Sequence, residues 1–73
     1  MNDEPEMYYL YVYNEDGFHN GKVEVKPEDL DNTFKNVVAP AQARGVKVIM
    51  TDEMDLCVFH MENGVVLFPP SNK

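Results

Sequence analysis

The sequence predicts an α+β fold of order β-β-α-β-β-β, with one helix packed on one face of a mostly antiparallel sheet. Three observations lead there. Short apolar runs bounded by turn residues recur along the chain. Only the stretch from Pro27 to Arg44 repeats its apolar residues at helical spacing. The runs after it are joined by short turns and read as an antiparallel meander.

Met7 to Tyr13 is an unbroken apolar and aromatic run rich in tyrosine, which is strand composition. Two turn signals follow, Asn14-Glu15-Asp16-Gly17 and His19-Asn20-Gly21, and the tip of the first hairpin falls on one or the other. Lys22 to Lys26 alternates charged residues with valine, a half-buried strand suited to a sheet edge. Pro27 sits at a natural first helical position, with Glu28, Asp29 and Asp31 in the opening turn, where the helix dipole favours negative charge. Leu30, Phe34, Val37, Val38 and Ala41 form the predicted core side of this helix, and Arg44-Gly45 supplies the stop. Pro40 lies inside the pattern and withholds a hydrogen bond from the Asn36 carbonyl, so a kink or short break is expected beside it. Val46–Thr51, Leu56–Met61 and Val65–Phe68 are the last three strands. Asn63-Gly64 between the final two is a strong hairpin signal, because both central residues of a type I′ turn need positive φ.

Seventy-three residues make a single small domain, 1–73, with ends at 1–6 and 69–73 expected to be flexible. Thirteen acids against six bases give a net charge of −7, which disfavours direct nucleic-acid binding and contact with anionic lipid. The N-terminus is acidic where a signal peptide needs a basic region, and no apolar stretch reaches membrane-spanning length. Cys57 is the only cysteine, so no internal disulfide forms and a cytoplasmic location is expected.

Cys57 and His60, three residues apart in a strand, point to opposite faces, and with His19 they fall short of any closed zinc pattern. Cys57 is therefore read as a buried core thiol. The Asp52-Glu53-Asp55 cluster lacks the spacing and glycine of a calcium loop. No phosphate loop, nucleophile elbow or paired-carboxylate signature is present, so no catalytic residue, metal or cofactor is assigned. Met7 to Tyr13 followed by Asp16-Gly17 resembles the opening hairpin of GIY-YIG endonuclease domains over roughly the first quarter of the chain. The family's second tyrosine-isoleucine-glycine strand is replaced by Gly21-Lys22-Val23-Glu24-Val25, and residues 28–43 lack the arginine and histidine that the resemblance requires on the helix. No nuclease site carries over.

Alternation along the first strand puts Tyr8, Leu10 and Val12 on one side and Tyr9, Tyr11 and Tyr13 on the other. One helix covers one face, so a tyrosine stripe lines up on the uncovered side if the aliphatic set lies under the helix. The stripe's expected neighbours are Ile49 and one of the alternating sets Leu56, Val58, His60 or Cys57, Phe59, Met61, since the fourth strand is apolar on both faces and asks for a second cover. The expected function is accordingly a non-catalytic protein-protein interaction module that meets itself, as a homodimer, or another protein through the open sheet face. Tyr9, Tyr11, Tyr13 and Ile49 are the interface candidates. The alternative is an acidic inhibitor that imitates nucleic acid and occupies a nucleic-acid-binding protein, motivated by the net charge of −7.

Overall fold

A computed structural model describes residues 5–19 and 21–69. Five strands, β1 (Tyr8–Val12), β2 (Val23–Val25), β3 (Val48–Asp52), β4 (Cys57–Glu62) and β5 (Val65–Phe68), form one antiparallel sheet in the order β2-β1-β3-β4-β5. A single helix, α1, spans 27–44 between β2 and β3. This is the α+β arrangement that the sequence predicts.

β1 is flanked on both sides: Leu10 faces Val23 of β2 and Met50 of β3. β2 is only three residues long and lies at the sheet edge between the charged residues Lys22 and Lys26, as its alternation implied. The expected flexible ends lie mostly outside the described residues. Within them, the Glu6 N–H donates to Glu53 Oε1 at 2.6 Å and so ties the start of β1 to the turn after β3.

α1 opens with a 3₁₀ turn at Pro27–Asp29, continues as α-helix over Leu30–Thr33, widens to a π segment over Phe34–Val38 and returns to α-helix over Ala39–Arg44. The expected kink beside Pro40 takes the form of this widened turn. Ala39 keeps helical dihedrals (φ −62, ψ −45), and its N–H donates to the Phe34 carbonyl five residues back. The proline is thereby carried in the first turn of the last segment, where its missing N–H does least harm. Gly45 ends the helix with φ 73, its N–H donating to the Gln42 carbonyl at 3.1 Å while the Val46 N–H reaches the Ala41 carbonyl at 3.2 Å.

The core lies between the helix and one sheet face. Leu10, Val25, Val48, Met50 and Met61 from the strands meet Val38 and Ala41 from α1, with Val46 closing one end. Val37, expected on the core side, is exposed: it neighbours Val38 about 100° around the helix, and only one of the two can face the sheet. The Asn63-Gly64 turn has φ 54 and φ 79, the pair of positive values that a type I′ turn requires. Gln42 Nε2 donates to the Gly64 carbonyl at 2.9 Å, docking the β4–β5 hairpin on the end of the helix.

Candidate functional site

Leu10 is buried under α1, and Tyr8 and Val12 pack against the same core. Tyr9, Tyr11 and Tyr13 therefore lie on the opposite face, over which no helix runs. Strand register sorts that face into rows. Tyr11 stands opposite Ile49, Ile49 opposite His60 and His60 opposite Phe68, so one row crosses four strands from β1 to β5. Tyr9 is flanked by Glu24 and Thr51 in a second row. In a third, Tyr13 meets Lys47, and Glu62 stands opposite Val65.

The tyrosines are half-buried without a covering layer, because their neighbours pack around the rings. His19 meets Tyr11 and Tyr13 edge-on, with ring centroids 5.2 and 5.1 Å apart. His19 is itself fixed by a bridge to Tyr13 and by accepting the Gly21 N–H at Nδ1, 2.9 Å away. Lys22 Nζ lies 4.5 Å from the Tyr9 ring centre and Lys47 Nζ 4.7 Å from that of Tyr13, both within cation–π range. Lys47 also pairs with Glu62 at 3.6 Å, and His60 Nε2 lies 3.2 Å from Glu62 Oε2.

Charge along these three rows balances. Lys22 and Lys47 stand against Glu24 and Glu62, two of each sign among the described residues of the rows. All four interface candidates, Tyr9, Tyr11, Tyr13 and Ile49, are on the face, with Tyr11 and Ile49 as direct partners. His60, one of the two alternatives for the fourth strand, is on the face as well. Phe68, Lys22 and Lys47 were missed by sequence reasoning. The Lys-Val-Glu-Val-Lys alternation could have placed Lys22 there once β2 was paired with β1.

Cys57, expected in the core, is exposed. It lies at the start of β4 beyond the residues that β5 pairs with, and its Sγ is 3.6 Å from the Phe59 carbonyl oxygen. Among the described residues, no group of three histidine, cysteine or carboxylate side chains is placed to hold a metal ion, and the His60 side chain is partnered by Glu62. No helix there is long and apolar enough to cross a membrane. Comparison of the chain with protein-family models, with curated proteins and with solved structures finds no match.

Proposed function

We propose that this domain is a non-catalytic protein-interaction module that associates with a second copy of itself through the open sheet face. The observation that carries the reading is the row Tyr11, Ile49, His60 and Phe68, an aromatic and aliphatic band crossing a charge-balanced face of a strongly acidic chain. Two copies of net charge −7 repel at long range, so contact is favoured where the local charge is zero and apolar area is offered. The lone cysteine supports placing the module in a reducing cytoplasm.

Five strands at ~4.8 Å spacing and ~17 Å length give the face a projected area of about 400 Å², well under the ~800 Å² per partner of a standard interface. Association should therefore be weak, with a micromolar dissociation constant. Sedimentation equilibrium tests this: weight-average mass should rise from 8.4 kDa toward twice that value with concentration, and Tyr11→Asp should return it to the monomer. A wild-type chain that stays monomeric up to ~0.5 mM, a concentration that would populate even a weak dimer, defeats the proposal.

One observation favours the alternative, an acidic inhibitor of a nucleic-acid-binding protein. Glu6, Glu28, Asp29, Asp31, Asp52, Glu53 and Asp55 gather at the end of the sheet where β1 starts and β3 ends. Under that reading the domain displaces duplex DNA from a basic DNA-binding protein, and neutralising Asp31, Glu53 and Asp55 abolishes the displacement.

A further inference from the structure

The helix side of the sheet is incompletely covered. Five strands span about 19 Å between their outer axes, whereas a helix with its side chains is about 10 Å wide. α1 seats Val38 and Ala41 over a core that includes Met61 of β4, and in its first half the Phe34 ring meets Phe59 edge-on with centroids 5.0 Å apart. Beyond that contact lies a groove of about 410 Å³ between the first half of α1 and the β4–β5 hairpin. Leu30, Phe34, Val58, Phe59, Val66 and Pro69 line it, and every other lining residue is apolar or aromatic as well.

The rim of the groove is acidic. Asp31 follows Leu30 on α1, Asp52 stands opposite Tyr8 at the same end, and Glu53 and Asp55 are in the adjoining turn. Glu6, Glu28 and Asp29 complete seven carboxylates at this end, where Lys26 is the local base and Lys35 sits a turn further along the helix. Met54 and Leu56, in the same turn, are 75% and 63% exposed. Asp52 Oδ1 accepts the Met54 and Leu56 N–H groups at 2.8 and 3.0 Å, which fixes the backbone that presents them.

We infer that this groove binds a basic amphipathic helix of a partner protein, with its apolar stripe over Phe59 and Val66 and its lysines and arginines against the acidic rim. A second copy is the poorer occupant, because α1, the one helix among its described residues, opens with Glu28, Asp29 and Asp31 and would set like charges together. An extended segment suits the edge of β5 rather than the groove, and that edge is short: four residues, followed by Pro69. The inference is independent of the open face, which lies on the other side of the sheet.

The test uses the full chain, isotope-labelled for amide NMR, and a synthetic leucine-lysine peptide of ~18 residues with leucines at helical i, i+3, i+4, i+7 spacing. A scrambled peptide of the same composition and a leucine-glutamate peptide of the same pattern serve as comparisons. The patterned basic peptide should become helical, shift the amides of Phe34, Val58, Phe59 and Val66, and bind at least about ten-fold more tightly than either comparison. Val66→Lys, at a strand-edge residue 40% exposed, should weaken it by about ten-fold while leaving the far-UV spectrum unchanged. Asp31→Asn with Asp55→Asn should weaken it several-fold at low salt. The inference fails if the scrambled peptide binds equally or if shifts are confined to the 52–55 turn. It also fails if the bound peptide is extended along 65–68, or if the groove amides respond to dilution of the chain alone.

Discussion

Replacing Gly64 by alanine tests whether the β4–β5 hairpin is held by the end of the helix. Gly64 has φ +79, and a Cβ there would come within 3.3 Å of the Gln42 carbonyl oxygen. A left-handed backbone costs an L-residue about 1–2 kcal/mol. The new methyl group must also push Gln42 aside, straining the 2.9 Å bond from Gln42 Nε2 to the Gly64 carbonyl, whose loss is worth about 1 kcal/mol. Gly64→Ala should therefore destabilise the domain by about 2–3 kcal/mol, lowering Tm by roughly 8–24 °C in a chain of this length. Gly17 is the internal reference. Its φ is +91, and a Cβ there meets nothing within 4 Å, so Gly17→Ala carries the backbone term alone. Thermal and urea unfolding followed by circular dichroism should show Gly64→Ala about 1 kcal/mol worse than Gly17→Ala. Equal losses, or a smaller loss at Gly64, would refute the docking of the hairpin on Gln42.

Two further substitutions probe the layers on either side of β3. Thr51 Oγ1 is buried with no hydrogen-bond partner, so Thr51→Val should stabilise the domain by about 1 kcal/mol, read as a higher urea midpoint at unchanged m value. Met61 is 0% exposed, and Met61→Ala should remove about 2–5 kcal/mol, a large part of the ~4–11 kcal/mol that a chain of this size commands. Its thermal transition should broaden or vanish, whereas a sharp transition near the wild-type Tm would show that Met61 does not anchor the core.

Local chemistry made much of the fold legible. Tyrosine-rich β1, the lysine-guarded β2, Pro27 at the helix start, Gly45 at its end and the Asn63-Gly64 turn each state their backbone requirement in one or two residues. Registers were less readable, because they depend on irregularities that leave no mark in a short sequence. From Asn63-Gly64, simple alternation puts Leu67 opposite His60, but the register shifts between His60 and Met61 and brings Phe68 there instead. A second shift between Met50 and Thr51 sets Thr51 against Cys57, at a start of β4 that β5 leaves uncovered. Hence the tyrosine side of the open face was foreseen and His60 stood as one of two alternatives beside it, while Phe68 and the exposure of Cys57 were not foreseen. The uncovered half of the helix side was not legible, because a strand apolar on both faces asks for a cover on the open face and not beside the helix. Its size depends on where α1 sits across the sheet, which packing decides.

The two uncovered surfaces differ in charge, and this difference separates their chemistry. Excess negative charge resists the approach of a second copy even though the open face is itself balanced, because the seven net charges act over a Debye length of about 8 Å at physiological ionic strength. Added salt should therefore strengthen self-association through the tyrosine face until screening is complete, leaving an apolar contact that salt does not weaken. Binding of a basic helix in the groove draws on attraction to the carboxylates around Asp52 and should weaken over the same range. If both interactions responded to salt in the same direction, the assignment of a neutral face to copies and an acidic groove to a basic partner would be wrong. Opposite responses would mean that one sheet, half-covered by one helix, keeps two classes of partner apart by charge alone.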